Sequence, residues 1–165
     1  MLYLIDSNVL ITAKNYYYEM DRVPEFWDWL IHQGQQGAVK IPFHIYNEPK
    51  SGADELSAWL KQTQVIEALL LNEEVDGDLL QYTIDKGYAP DLTDVELAKV
   101  GMDPFLIAHA LADIHNRTVV SIEASKPKAQ RANRRIPDIC HSLGVSHIGT
   151  FELARMLNFS TSWKK

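Results

Sequence analysis

Four acidic residues, widely separated in the chain, share one feature of position. Asp6 directly follows the apolar run Leu2 to Ile5, and Glu123 directly follows the run TVVSI at 118–122. Glu48 comes shortly after the short apolar stretch Val39 to Ile41, and Asp103 opens the apolar helical pattern that feeds into TVVSI. In open parallel sheets ligands bind outside the carboxyl ends of the strands, so acids placed just after strands are the ones to inspect. An all-oxygen cluster suits hard cations such as Mg²⁺ or Mn²⁺, and two such ions can activate water and stabilise the leaving oxygen of a phosphodiester. Asp6, Asp103 and Glu123 are therefore expected to converge at one rim of the fold.

Each acid also has a plainer role open to it. Asp6 can shape an Asx turn with Ser7 and Asn8. Asp103 before Pro104 has the form of a helix N-cap, a role that can coexist with metal binding. Glu48 can be a solvated acid at a helix start, and Glu123 a loop acid balancing Lys126. Asp91, Asp94 and Asp113 read as surface acids, His109 and His44 as packed or surface histidines, and Cys140 as a core residue. Tyr16, Tyr17 and Tyr18 can stack bases, pack in the core or, with Trp27, meet a partner. Other chemistries lack their motifs. No serine sits in a Gly-x-Ser-x-Gly setting with a histidine placed to serve it. There is no Gly-x-Gly-x-x-Gly or Walker A stretch, and the phosphatase pattern's second Asp is Asn8 here.

The elements that must position these acids alternate between strand and helix. Leu2 to Ile5, Val39 to Ile41, Thr118 to Ile122 and Val145 to Ile148 read as short buried strands. Helical spacing begins at Pro24 and carries Phe26, Trp29 and Leu30 up to breaks at Gly34 and Gly37. Leu56, Trp59 and Leu60 mark a second helix, and Leu106, Ile107, Ala110 and Leu111 a third. Pro137 through Leu143 makes a fourth, stopped by Gly144. Pro49 is unwelcome inside a helix, so one carrying Glu48 is expected to begin near Asn47 or to bend there. Residues 65 to 101 read as a helical insertion with a capping box from Thr93 to Glu96. The expected architecture is a single α/β domain over residues 1–165, a three-layer sandwich with a mostly parallel central sheet.

Composition agrees with one globular domain. The chain has 165 residues, 46% hydrophobic and 23% charged, and a domain of about 150 residues buries roughly 70% of its unfolded surface without needing disulfides. A single cysteine excludes an intrachain disulfide and a multi-cysteine zinc cluster. No apolar run approaches a membrane span, and MLYLIDSNVL lacks the form of a signal peptide, so the expected compartment is the cytoplasm. The net charge of −6 argues against a nucleic-acid partner until its distribution is considered. Lys126, Lys128, Arg131, Arg134 and Arg135 fall within KPKAQRANRR, ten residues without an acid. This basic arm on an acidic body is either a phosphate grip or a solvated loop whose arginines pair with the body's acids.

At YLIDSNVLI (3–11), IYNE (45–48), DPFLIAHAL (103–111) and TVVSIE (118–123) the chain resembles the PIN-domain nucleases, in particular VapC-type toxin ribonucleases and a smaller related PIN-like family. The resemblance spans nearly the whole chain. It implies Asp6, Glu48, Asp103 and Glu123 as catalytic metal ligands for Mg²⁺ or Mn²⁺, with Ser7 and Ser121 supporting them by hydrogen bonds. It implies an endoribonuclease that hydrolyses RNA with metal-activated water, the toxin of a toxin–antitoxin pair, with an antitoxin protein and a second copy of itself as partners. Two departures from the family's pattern are Glu123, where Asp is usual and whose extra length implies contact through water, and Pro49 next to Glu48. They sustain an alternative, a non-catalytic PIN-like module that binds nucleic acid or protein.

Overall fold

In the computed structural model, which describes residues 1–165, the first apolar run forms β1 (Leu2–Ile5) at the centre of the sheet. Tyr3, Leu4 and Ile5 are buried, as a strand covered on both faces requires. The chain turns at Asp6 into α1 (Ser7–Thr12), which continues as a π-helical turn over Ala13–Tyr17. Next come α2 (Pro24–Gln35), β2 (Val39–Pro42), α3 (Phe43–Lys50), α4 (Glu55–Leu60), α5 (Thr63–Leu69) and the two-residue strand β3 (Leu70–Leu71). Then α6 (Gly77–Tyr82), a π-helical turn over Thr83–Tyr88 and α7 (Asp94–Val100) precede α8 (Asp103–Leu111). The chain ends with β4 (Arg117–Val120), α9 (Ile136–Leu143), β5 (Ser146–Ile148) and α10 (Thr150–Met156).

The sheet order is β3-β2-β1-β4-β5, and every neighbouring pair is parallel. The result is a three-layer α/β sandwich. From β1 the chain builds outward through β2 to β3, then returns to place β4 and β5 on the other side. A parallel sheet that reverses direction in this way leaves a crevice where the strands beside the reversal end, here β1 and β4. Asp6 closes that pair by donating its N–H to the Val120 carbonyl at 2.9 Å. The two strand ends therefore deliver Asp6 and Ser121 to the same rim.

Several elements differ from their sequence reading for identifiable reasons. Gly34 does not break α2, which runs to Gln35 and is followed by Gly37 in the left-handed region at φ 74°. A Cβ on Gly34 would lie 2.5 Å from the Ala68 carbonyl oxygen, so glycine is there for the close approach of α5. The segment 65–101 is not wholly helical, since Leu70 and Leu71 pair with Ile41 and Pro42 at the sheet edge. Strand β4 stops at Val120, although the Ser121 N–H still donates to the Ile148 carbonyl of β5 at 3.2 Å, and Ile122 lies beyond the strand.

α3 begins at Phe43 rather than near Asn47 and keeps Pro49 in its last turn, where the proline forgoes the bond that an N–H at 49 would make to the Ile45 carbonyl. Burial of Ile45 and Tyr46 holds the helix, and the Tyr46 hydroxyl donates to the Leu60 carbonyl at 2.7 Å. Trp27 is not an exposed contact residue. It is 3% exposed and donates Nε1–H to the Tyr18 carbonyl, while Tyr18 stacks on Phe26. Of the tyrosine run only Tyr16 projects freely. No helix is long and apolar enough to cross a membrane.

Candidate functional site

Asp6 stands at the N-cap position of α1, yet its side chain makes no capping hydrogen bond. The residue is 1% exposed, and Oδ2 is shut away from solvent with no hydrogen-bond partner. Leaving such an acceptor unsatisfied is costly, and an Asx-type contact with Asn8 through the other oxygen does not supply Oδ2 with a partner. Burial pushes the Asp6 carboxyl up to about 6. Nearby Asn8 opposes the shift, while the charges of Glu48 and Glu123 add to it.

Asp103 is the first residue of α8 rather than its cap, and Pro104 follows in the first turn. It accepts no hydrogen bond that would explain an acid at this position. Burial, then the charges of Asp6, Glu123 and Glu48, push its carboxyl up to about 7, with Arg135 opposing them. Asp6 and Asp103 thus respond to the same neighbouring carboxylates, although ninety-odd residues separate them in the chain. Glu48 is exposed on α3, and Ser7 Oγ donates to its Oε2 at 3.2 Å. This bond fastens α3 to the start of α1.

Glu123 is held differently. Its Oε2 accepts the N–H of Ile136, the first residue of α9, at 2.7 Å, and Oε1 faces Arg135 Nη1 at 3.5 Å. It therefore anchors a helix start as well as facing the other acids. Ser121 is buried, with Oγ 2.8 Å from His147 Nε2 and within 3.4 Å of the Glu123 N–H. The serine lacking a histidine in the sequence has one in space, contributed by β5. At 1% exposure Ser121 is a brace for the turn after β4, not an open nucleophile. Burial lowers the proton affinity of the His147 ring, which favours its neutral form.

The fold thus brings Asp6, Glu48, Asp103 and Glu123 to one end of the sheet, with Ser7 and Ser121 bonded to the segments that carry the glutamates. No three Asp, Glu, His or Cys side chains close into a ready ligand set. The orphaned Oδ2 of Asp6 and the purely carboxylate donors fit a hard divalent cation, which would satisfy the one and offset the repulsion of the others. His109 is apart from this group. It is 2% exposed in the body of α8, and the charges that act on it are those of Glu73, Arg117 and His44.

The basic arm divides in the structure. Arg131 is committed to Asp91 at 2.7 Å and to Glu96 at 2.9 Å, pinning the arm to α7. Arg134 donates to the backbone carbonyls of Gly87 and Asp138. Arg135 turns toward Glu123, whereas Lys126 and Lys128 are exposed with no side-chain bond. A residue that spacing alone does not single out, Tyr88, sits at the end of the second π-helical turn and lines a cavity with Asp103 and Glu123.

No curated protein matches the chain. A family model described as a domain of unknown function, DUF4411, matches residues 3–161. That match takes in all four acids, both supporting serines and the whole basic arm, and the chain belongs to the DUF4411 family.

Proposed function

We propose that the chain is a metal-dependent endoribonuclease of the PIN-like type. The observation that carries this reading is the gathering of Asp6, Glu48, Asp103 and Glu123 around a buried, partnerless carboxylate oxygen at the end of a parallel sheet. Asp6 and Asp103 would hold Mg²⁺ or Mn²⁺ directly, Glu48 from the exposed side, and Glu123 from its fixed place against α9. When bound, such an ion lowers the pKa of water and offsets charge on a phosphodiester. Ser7 orients Glu48, and Ser121 with His147 sets the turn that presents Glu123. Arg135, beside Glu123, is placed to meet phosphate rather than metal. The likeness to VapC-type toxins extends the proposal to a cytoplasmic toxin with an antitoxin partner and to a homodimer.

Purified protein is expected to cleave single-stranded RNA with Mg²⁺ or Mn²⁺ and to stop when EDTA is added. Inactive wild type, free of inhibitor and tested with both ions, would favour the second reading, a binding module. What speaks for that module is the engagement of Glu123 with Ile136 and Arg135.

The division of the basic arm makes a separate prediction for RNA binding. For single strands the slope of log affinity against log salt changes by about 0.7 for each phosphate neutralised. Replacing both Lys126 and Lys128 with Ala should flatten the slope by roughly 1.4. Arg131→Ala should leave it unaltered, because that guanidinium is already occupied by Asp91 and Glu96. Equal flattening by the two variants would show that Arg131 exchanges its acids for phosphate.

A further inference from the structure

A cavity of about 320 Å³ opens beside Asp103 and Glu123, between the end of the second π-helical turn, α7 and the basic arm. Two of the residues that line it carry a polar atom without a partner. The Tyr88 hydroxyl is buried and unbonded on a residue 7% exposed, and Arg135 Nε is likewise buried and unbonded. Burying a donor without an acceptor is costly, and two such donors on residues that line one cavity point to an acceptor that the protein itself does not supply.

The charge of the cavity identifies that acceptor. Lys99 and Arg134 line it while bonding only neutral oxygens, those of Asn133 and of backbone carbonyls. Lys126 lines it without a side-chain bond. With Arg135 these make four cations facing two carboxylates, so the cavity favours an anion despite the acids on one wall. Burial, with the charges of Asp103 and Glu123, raises the proton affinity of the Tyr88 hydroxyl and keeps it a donor.

We infer that this cavity binds a phosphate group of a nucleic-acid strand, with the Tyr88 hydroxyl and the Arg135 guanidinium as its donors and Lys126 and Lys99 as further counter-charges. Guanidinium geometry suits phosphate oxygens, and the position next to Asp103 would place the group one step along the strand from the acids. The inference rests on the nuclease reading for its ligand, a nucleic-acid strand, but its test needs neither metal nor turnover.

The test is thermal melting of the full chain in EDTA, titrated with inorganic phosphate against chloride at equal ionic strength. Wild type should melt higher as phosphate is added. Tyr88→Phe should melt at or above wild type without phosphate, since its hydroxyl has no bond to lose, and should bind phosphate about tenfold more weakly. Arg135→Gln should weaken phosphate binding by at least as much, and Arg22→Gln, which removes a distant surface charge, should not. General salting effects of phosphate would raise all four proteins alike, and that result overturns the site, as does no rise in wild type. If Arg135→Gln fails to fold, Tyr88→Phe alone decides.

Competition by short oligoribonucleotides with a 5′-phosphate or a 5′-hydroxyl then identifies the source. Stronger competition by the first assigns a terminal phosphate, and equal competition an internal phosphodiester. Competition by neither overturns the assignment to a strand. Because EDTA suppresses any cleavage, phosphate binding without nuclease activity would leave the cavity standing while the nuclease reading fell.

Discussion

Replacing Asp6 with Asn is expected to reduce RNA cleavage by about a thousandfold or more, equivalent to several kcal/mol of lost transition-state stabilisation. The same change should make the metal-free protein more stable at neutral pH. The sign follows from the direction of the pKa shift. Burial raises the folded-state carboxyl to about 6 from an ordinary 3.8, so the folded state holds the proton more tightly than the unfolded one. The stability associated with that proton is fully present below about pH 4 and is lost as pH rises through 6. Asp103, pushed to about 7, extends the loss to neutrality.

A shift of two units amounts to about 3 kcal/mol at most, and Asn, which carries no charge to desolvate, escapes it. Added Mn²⁺ should raise the melting temperature of wild type at pH 7.5, and this rise should fade toward pH 5 as the acids protonate. Asp6→Asn should lose most of the Mn²⁺ effect. Melting curves with EDTA and with Mn²⁺ across pH 4 to 8, alongside cleavage assays, check all of this. An Asn variant less stable than wild type at neutral pH, or still cleaving, would remove Asp6 from the centre of the site.

What was legible in the sequence is what short-range pattern encodes. The unbroken apolar run before Asp6 describes β1, and its alternation with helical stripes leads to the parallel sheet and hence to a rim where acids after strands must meet. Pro104 and Gly144 mark helix ends by their own backbone preferences, and Thr93 with Glu96 forms the capping box that their spacing announces. Where tertiary contact decides, pattern is silent. Leu70 and Leu71 continue an apolar helix in sequence and become a strand only because Ile41 and Pro42 lie beside them. Gly34 reads as a break and is instead a contact point for Ala68.

The site shows the same division. Acids at strand ends could be found by position, but Tyr88 belongs to no motif. Its surroundings come from α7, α8 and the basic arm, which only the folded chain brings together. Nor does composition distinguish Arg131, bound to Asp91 and Glu96, from Lys126 and Lys128 in the same arm. The charge of the arm was legible, while the use made of each charge depends on which acids the fold carries to it.

Asp103 and Glu123 should part company when each is neutralised. Asp103 accepts no hydrogen bond and has its carboxyl pushed up to about 7, so Asp103→Asn breaks no bond and relieves a buried charge. It should melt higher than wild type in EDTA and lose cleavage about a thousandfold, as Asp6→Asn does. Glu123 is already bonded, through Oε2 to the Ile136 N–H and through Oε1 to Arg135. Glu123→Gln can keep the first of these and weakens the second, whereas Glu123→Ala loses both and should cost about 1–2 kcal/mol, as loss of a helix cap does. A glutamate already fixed to a helix start has less freedom to approach a cation, so Glu123→Gln is expected to lose only about ten- to a hundredfold in cleavage, as residues that act on a metal through its ligands do. Measuring kcat/KM and melting temperature for the three variants separates the roles. A thousandfold loss in Glu123→Gln would make Glu123 a direct ligand on a par with Asp103. An Asp103→Asn protein that melts lower than wild type in EDTA would show that Asp103 stabilises the fold, and the shared rim of Asp6 and Asp103 would no longer argue for a cation.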